Sequence, residues 1–184
     1  MPIEIEKKYR LTETQLQELQ RRLPEIGAVF EGEEFEENTL YSGDRLDLGT
    51  CVLRLRRVGD GTAAALTYKQ RFPSASSIKQ QQEHETLVSD ANAADAILHA
   101  LGYKSALVYE KRRSIWHLDD AEVDVDELPF GLFMEIEANP DEIVRVERLL
   151  CMKGLQAEME TYPGLTLKHG KRHGDVVMAR FPVA

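Results

Sequence analysis

Met1-Pro2-Ile3-Glu4-Ile5-Glu6-Lys7-Lys8-Tyr9-Arg10 is the stretch of sequence that decides the fold. At the two-residue period of a β-strand, its Ile and Tyr side chains lie on one face, and Glu4, Glu6 and Lys8 lie on the other. A single strand of this kind is most often a surface strand with a solvated polar face. The same alternation recurs along the chain, however, and its repetition needs a separate explanation.

Length and composition indicate one acidic domain. With 184 residues, of which 42% are hydrophobic, the chain can bury one well-filled core, and we expect residues 1–184 to form a single domain. A net charge of -9 argues against general binding to nucleic acids or anionic membranes, because both need a basic surface. Cys51 and Cys151 give no disulfide framework, and neither a signal peptide nor a long apolar span is visible, so we expect a cytoplasmic protein.

Three amphipathic helices are predicted from caps and apolar stripes. Each is expected to begin at a side chain that accepts backbone N–H bonds and to end near a glycine: Thr12 to Gly27, Ser89 or Asp90 to Gly102, and Asn139 to Gly154. Between the first helix and the next predicted strand lies the acidic run 31–37. Charge runs are usually solvated, so we interpret residues 29–38 as a solvated edge strand or loop rather than a metal site.

Strands with paired ionic side chains recur throughout the chain. At least seven predicted strands carry them on one face, opposite an apolar face: Glu4/Glu6 with Lys8, Arg54/Arg56, Lys69, Glu83/Glu85, Lys111/Arg113, Asp124/Asp126 and Glu135/Glu137. In an ordinary helix-on-sheet protein, such ionic faces look out at water. In a closed barrel, they could instead face inward, with the helices covering the apolar outside. Alternation by itself leaves both architectures open.

An inward-facing arrangement would suit a polyphosphate ligand. Arg and Lys bind phosphate oxygens, and Arg can do so with two parallel hydrogen bonds. The divalent ions that accompany polyphosphates take hard oxygen ligands from Asp and Glu. The residues alone therefore leave a phosphate-and-metal site and a solvated ionic surface as equal alternatives.

Glu4-Ile5-Glu6-Lys7-Lys8 resembles the N-terminal ExExK motif of the CYTH superfamily, the triphosphate tunnel metalloenzymes. Later segments resemble further motifs of that family in the same order: Leu53–Arg56, Thr67–Lys69, Glu83–Glu85, Glu110–Arg113, Val123–Asp124 and Phe133–Glu137. The resemblance covers most of the chain from residue 3 to about residue 137. It implies an α+β fold in which an eight-stranded antiparallel β-barrel forms a tunnel with a charged lumen, covered by about three or more helices.

The resemblance also implies roles for individual residues. Divalent ions, Mg²⁺ or Mn²⁺, would be held by the acids Glu4, Glu6, Asp124, Glu135 and Glu137. The triphosphate would be bound by Lys8, Arg54, Arg56, Lys69, Lys111 and Arg113. The expected catalytic set is Glu4, Glu6, Lys8, Glu83 and Glu85. For Glu83 and Glu85, a second metal or a positioned water and a structural ion pair with a neighbouring Arg are equal alternatives.

The activity implied by this resemblance is metal-dependent hydrolysis of inorganic tripolyphosphate or a small organic triphosphate, with release of orthophosphate. Two alternatives stand beside it: a class IV adenylate cyclase, which converts ATP to cyclic AMP and pyrophosphate, and a non-catalytic polyphosphate-binding module. The expected partner is a triphosphate-containing small molecule, without nucleic acid or membrane, and a homodimer is left open.

The C-terminal region is interpreted separately. Thr161-Tyr162, followed by Leu165, resembles the Ser-Tyr-x-x-Leu-Leu ending of the cyclase-like branch of the family. Residues 166–184 are treated as a candidate C-terminal extension. Its segment 167–173 is basic, and we expect a flexible tail there rather than a cover for the active site.

Overall fold

The computed structural model of the chain describes residues 3–47, 49–59, 61, 63–72 and 76–182. Within these residues the chain forms eleven strands and four helices. The strands are β1 Ile3–Leu11, β2 Val29–Ser42, β3 Cys51–Val58, β4 Ala63–Arg71, β5 Ile78–Val88, β6 Lys104–Leu118, β7 Ala121–Leu128, β8 Gly131–Glu137, β9 Gln156–Ala157, β10 Lys171–His173 and β11 Val176–Ala179. The helices are α1 Glu13–Glu25, α2 Ala91–Ala100, α3 Pro140–Leu150 and α4 Tyr162–His169.

Eight of the strands close into a barrel. Their order is β6-β2-β3-β4-β5-β1-β8-β7, and β7 pairs again with β6, which completes the circle. All of these pairings are antiparallel. The predicted α+β fold with an eight-stranded antiparallel barrel is therefore confirmed. Closure decides between the two architectures that alternation left open, because a closed sheet has an inside.

The outer face of the barrel is apolar and carries α1 and α3. A buried cluster joins outward residues of three neighbouring strands to both helices: Tyr9, Val123, Val125, Met134 and Ile136 pack with Leu19, Leu23, Ile143, Val146 and Leu150. Burial of these side chains supplies the hydrophobic stabilisation of this half of the molecule. It also leaves the alternate residues of β1, β7 and β8 pointing into the barrel.

The prediction of a solvated edge strand is confirmed for most of the acidic run and wrong for its end. Within the described ranges, residues 29–35 pair only with β6, whereas from Glu36 onward β2 pairs with β3 on one side and with β6 on the other. Glu31 and Glu33 are exposed, but Glu36 and Asn38 are fully buried, each 0% exposed. The run looked solvated because its charges sit on both faces of the strand, and only closure of the barrel buries one of those faces.

The barrel interior changes character along its length. At one end, Leu40, Tyr109 and Phe133 pack with Tyr162 and Leu165 of α4 in an apolar cluster. Tyr109 and Phe133 share the inward alternation of their strands with the ionic residues that follow them two positions later. The helix α4 therefore closes one end of the barrel, and the ionic part of the interior lies beyond it.

The three predicted helices are confirmed, with capping side chains at Thr12, Asp90 and Asn139. The third ends earlier than predicted: α3 stops at Leu150, where Cys151 takes the left-handed cap with φ 49°. Such caps are usually glycines, which is why the sequence pointed to a later residue. No helix in the described ranges is long and apolar enough to cross a bilayer.

The C-terminal region packs against the barrel, so the prediction of a flexible basic tail is wrong. β10 and β11 form an antiparallel pair, and β11 adds to β6 in parallel through Val177↔Leu107 and Ala179↔Tyr109. Val177 and Ala179 are buried in the same cluster as α4. The basic composition of the segment hid these few apolar residues, which hold α4 in place.

Candidate active site

The inward faces of the barrel strands enclose a cavity of about 850 Å³. Every site residue predicted from the sequence lines it: Glu4, Glu6, Lys8, Arg54, Arg56, Lys69, Glu83, Glu85, Lys111, Arg113, Asp124, Glu135 and Glu137. Seven strands contribute them, because each strand turns alternate side chains inward. The paired ionic groups of the sequence thus converge on one enclosed space.

Charge is distributed unevenly around this cavity. The neighbouring strands β1, β8 and β7 supply the acidic wall, which we define as Glu4, Glu6, Glu122, Asp124, Glu135 and Glu137. Strands β3, β4 and β6 supply the basic wall, which we define as Arg54, Arg56, Lys69, Arg71, Lys111 and Arg113. Lys8 is a cation on the acidic side, and β5 lies between the walls with both signs of charge.

The acidic wall contains a row of directly opposed carboxylates. Glu122 pairs across the sheet with Glu137, which in turn pairs with Glu6. Like charges in such positions destabilise a sheet. Glu137 is exposed, yet partial desolvation, together with the carboxylates of Glu4 and Glu122, raises its pKa to about 7. Burial raises the pKa of Glu6, and Glu135 adds to the shift, although Lys8 and Lys79 act against it. The positive charge near this row therefore does not outweigh desolvation and like-charge repulsion.

The next row contains the same type of acid with cationic partners. Asp124 pairs across the sheet with Glu135, which pairs with Lys8. Glu135 lies 3.2 Å from Lys8 Nζ and 2.7 Å from Arg113 Nη2. Burial would raise the pKa of Glu135, but these two cations hold it well below its usual range. In the same row, burial outweighs the attraction of Arg113 and raises the pKa of Asp124 to about 8. The cations of this row therefore keep Glu135 ionised but do not compensate Asp124.

On the basic wall, carboxylates from β5 and β1 act as counter-ions. Glu85 lies 3.5 Å from Arg54 Nη2 and 3.0 Å from Arg56 Nη2. Lys69 Nζ lies 2.7 Å from Glu4 and 2.8 Å from Glu83. Among the described residues, the Nε atoms of Arg54 and Arg56 are buried without a hydrogen-bond partner. These N–H groups are donors that a phosphoryl oxygen could satisfy.

Behind the basic wall, Arg113 is fixed by a second carboxylate. Its Nε and Nη2 donate to the two oxygens of Asp126 at 2.7 and 2.6 Å. Lys111 Nζ lies 3.6 Å from the same carboxylate, and Asp126 is 0% exposed. This geometry assigns Asp126 to holding the cations, whereas Asp124 lines the cavity.

Glu36 is a buried member of this network that the sequence analysis missed. Its Oε1 lies 3.3 Å from Lys111 Nζ and 3.7 Å from Arg56 Nη1. Burial would raise its pKa, but Lys111, Arg113 and Arg56 outweigh burial and lower the pKa to about 2. A carboxylate that stays ionised there fixes cations of β3 and β6 from the strand between them. The two-residue spacing of Glu36 and Asn38 was the available signal.

Arg71, Lys79 and Tyr162 also line the cavity and were not predicted as site residues. Arg71 follows Lys69 at the two-residue spacing, which could have identified it. Lys79 was missed because β5 begins at Ile78, well before the predicted pair Glu83/Glu85, in a run of glutamines without apolar alternation. Tyr162 comes from α4, and no strand pattern could predict that a helix enters the barrel.

The acidic wall suits a hard divalent cation. Within the described residues, no three Asp, Glu, His or Cys side chains are already grouped as a metal-binding set. Several of the carboxylates form ion pairs with Lys or Arg side chains, as Glu4 does with Lys69. The donors are nevertheless carboxylate oxygens, and Asp124 Oδ1 is buried without a hydrogen-bond partner in the described part of the chain. The opposed carboxylates of the first row would lose their repulsion if a cation lay among them.

The sequence pattern of the CYTH domain family matches residues 2–157. The chain belongs to the CYTH domain family. The family resemblance read from the motifs is therefore confirmed. A relative of this CYTH chain is the Methanocaldococcus jannaschii protein named "Putative adenylate cyclase MJ0240". It is 26% identical over 150 residues, which are 80% of this chain and 83% of the relative.

Solved structures show the same fold. The PH1012 protein of Pyrococcus horikoshii is 28% identical, with a TM-score of 0.74 over 86% of this chain and 96% of that protein. The Hippeastrum protein HpAC1, described as a "putative adenylyl cyclase" that "reveals a dominant" triphosphatase activity, is 16% identical. Its TM-score is 0.71 over 90% of this CYTH chain and 95% of HpAC1. At that identity the likeness concerns the fold alone.

Proposed function

We propose that this protein is a divalent-metal-dependent hydrolase of triphosphate compounds. Its substrate would be inorganic tripolyphosphate or a small organic triphosphate, and its product orthophosphate. The observation that carries the proposal is the juxtaposition, in one cavity, of a row of directly opposed carboxylates with a wall of Arg and Lys side chains. A metal–triphosphate complex has matching charges, because its cation meets the acids and its phosphates meet the bases.

The phosphate groups would be bound by the basic wall and Lys8. Arg54 and Arg56 can turn their unpaired Nε–H groups to phosphoryl oxygens, and Lys69, Lys111 and Arg113 add further donors. Glu83 and Glu85 would keep these cations in position through their ion pairs. This role is the ion-pair alternative that the sequence had left open for the two acids.

The metal ions would be held by Glu4, Glu6, Asp124, Glu135 and Glu137. When bound, Mg²⁺ or Mn²⁺ neutralises charge that develops on phosphate oxygens and makes a water molecule more acidic. The protein's own contribution is to align the phosphates on the basic wall and to hold the acids opposite them. No Ser or Cys nucleophile is required for this reaction.

The test is to identify the product. Purified protein is incubated with inorganic tripolyphosphate or ATP and with Mg²⁺ or Mn²⁺, and a metal-free sample serves as control. Metal-dependent release of orthophosphate from tripolyphosphate would support the proposal. Binding without turnover under every condition would contradict it and support a polyphosphate-binding module.

A class IV adenylate cyclase is the second candidate. The name of the M. jannaschii relative favours it, and the cavity would serve ATP with the same cations and acids. The description of HpAC1 links this fold to a triphosphatase activity as well. The same assay separates the two, because cyclisation converts ATP to cyclic AMP and pyrophosphate instead of releasing orthophosphate.

A further inference from the structure

Lys8 is held at the closed end of the cavity by an unusual set of neighbours. Its side chain is 2% exposed, and its Nζ lies 3.2 Å from Glu135 and 3.5 Å from the carbonyl oxygen of Glu160. The third neighbour is the ring of Tyr162, whose centroid lies 3.5 Å from Nζ. An ammonium at that distance over an aromatic face is attracted by the quadrupole of the ring.

We propose that Tyr162 is a positioning residue for Lys8. The ring fixes the ammonium group. The hydroxyl donates a hydrogen bond to Asp126 and so helps this carboxylate to stay in contact with the cations of the basic wall. The proposal rests on the proposed function, in which Lys8 binds a phosphate. It adds a residue from α4 to a site that otherwise consists of strand residues.

The ring attracts Lys8 without neutralising it. Glu135 already places one carboxylate 3.2 Å from Nζ. A second carboxylate at the position of the ring would compete with a phosphate for the ammonium, whereas an aromatic ring has no net charge and leaves the remaining attraction in place. Because Lys8 has lost most of its rotamer freedom before a phosphate arrives, less entropy is lost on binding.

The hydroxyl of Tyr162 has a separate task. It donates to Asp126 Oδ2 at 2.7 Å. Asp126 also accepts two hydrogen bonds from Arg113, so both of its oxygens have partners. Tyr162 thus contacts Lys8 of β1 through its ring and Asp126 through its hydroxyl. Asp126 is in turn the carboxylate that fixes Arg113 of β6.

The ring itself is held firmly. Tyr162 is 6% exposed, and the edge of its ring meets Phe133 with centroids 5.4 Å apart. The carbonyl oxygen of Tyr162 accepts a hydrogen bond from Thr166 at 2.8 Å, and Thr161 caps the start of α4. β11 pairs with β6, and its Val177 and Ala179 share a buried cluster with Tyr162 and Leu165, so the C-terminal segment helps to hold α4 against the barrel.

The first measurement is a chemical shift in the wild-type protein. In the ¹³C-lysine-labelled protein, the Hε protons of Lys8 should show a clear upfield ring-current shift relative to the other lysines, with the assignment made from Lys8→Met. In Tyr162→Phe the shift should persist, because the ring remains. Lys8 resonances at ordinary lysine positions in the wild-type protein would overturn the proposal without reference to activity.

The second measurement is the affinity for inorganic tripolyphosphate by calorimetry in EDTA, which removes any contribution from metal. Tyr162→Leu should weaken binding about 3- to 30-fold, as expected for loss of a desolvated cation–π contact. Tyr162→Phe should stay within about threefold of wild type. Leu165→Ala is the matched control, because it loosens the same helix but leaves the ring.

The outcomes are distinguishable. If Leu165→Ala weakened tripolyphosphate binding as much as Tyr162→Leu, the effect would be structural and the positioning role would be wrong. If Tyr162→Leu bound like wild type while Lys8→Met lost binding, the role of Tyr162 would fail and the proposed function would stand. If Lys8→Met itself bound like wild type, the proposed phosphate site would fail, and the role of Tyr162 with it.

Discussion

The acidic and basic walls of the cavity differ in how far their charges are compensated within the protein. The cations of Arg54, Arg56, Lys69, Lys111 and Arg113 each have a carboxylate at ion-pair distance. In the row Glu122–Glu137–Glu6 of the acidic wall, carboxylates oppose carboxylates. Among the described residues, the nitrogen partners of this row lie at its two ends, where Lys79 Nζ is 3.8 Å from Glu6 and His117 Nε2 is 4.0 Å from Glu122. The five cations of the basic wall are therefore held by carboxylates, whereas this row of the acidic wall is compensated only in part.

This difference indicates how the metal ion and the triphosphate of the proposed reaction would promote each other's binding. Glu4 and Glu135 are shared between the walls, since Lys69 binds the first and Arg113 the second. A metal ion that takes these carboxylates leaves the two cations free for phosphate oxygens. Binding of metal and of triphosphate would then be coupled, each lowering the cost of the other.

The largest expected effect concerns the cation that both walls share. Arg113→Met leaves Asp124, Asp126 and Glu135 without their common partner in a buried site, so we expect a loss of about 3–5 kcal/mol in unfolding free energy. Its neighbour Arg112 is the matched control, because it points outward to Glu127 with 55% of its side chain exposed. Arg112→Met should change stability by less than about 0.5 kcal/mol. Urea denaturation measures both, and equal losses would contradict the distinction between inner and outer faces.

The second-largest effect tests whether turnover requires a carboxylate of the acidic wall. Glu135→Gln keeps the shape of the side chain but removes the charge that faces Lys8 and Arg113. We expect metal-dependent turnover of tripolyphosphate to fall about 100-fold or more, as when a preorganised charged group is lost. Glu127→Gln, on the outside of the barrel, should keep wild-type turnover. Hydrolysis that survives in Glu135→Gln would remove this residue from the metal set.

A smaller effect should show whether Glu85 only positions cations or takes part in the reaction itself. Glu85→Gln removes the partly exposed counter-ion of Arg54 and Arg56. We expect KM for the triphosphate to change about 2- to 5-fold, with kcat unchanged, because such ion pairs contribute little. The adjacent residue His84 is exposed, and His84→Ala serves as the control. A large fall in kcat for Glu85→Gln would instead favour the metal or water-positioning role.

The smallest effect concerns the opposed carboxylates. In metal-free buffer at pH 8, Glu137→Gln should raise the unfolding free energy by about 0.2–1 kcal/mol, because it removes a like charge from the row. Since the folded-state pKa of Glu137 is raised to about 7 from 4.5, the wild-type protein loses stability as pH rises through that window. The advantage of the variant should therefore fade as pH drops from about 7 to about 4.5. Mg²⁺ should stabilise wild type more than the variant, and equal stabilisation would exclude Glu137 as a ligand.

Much of the site was predictable because strand alternation is a local property. Glu4 and Glu6, or Arg54 and Arg56, reveal their common face in three residues of sequence, whatever lies around them. Glu36 has the same spacing to Asn38, but its neighbours are mostly charged, so the apolar face that would mark a barrel strand was missing. Lys79 was missed for a related reason, because glutamines on both faces of β5 give no contrast between an apolar face and an ionic face.

Tyr162 was beyond local patterns for a different reason. Its contacts join α4 to β1, β7 and β8, which are at least 25 residues away in the chain: Lys8, Asp126 and Phe133. Propensity and capping predict that a helix can start at Thr161, but not which end of the barrel it enters. The mistaken expectation of a flexible tail arose from the same gap, because β11 is stabilised by pairing with the distant strand β6.

The sequence by itself determined most of the barrel strands, with their ionic and apolar faces, and the three capped helices, because these depend on neighbours within a few residues. Only the tertiary structure decided that the sheet closes, that its ionic faces turn inward, and that a C-terminal helix seals one end. Closure depends on the pairing of β6 with β7 and of β1 with β8, and burial follows closure. The same glutamate is therefore a solvated surface group or a fully buried counter-ion according to contacts that no local pattern contains.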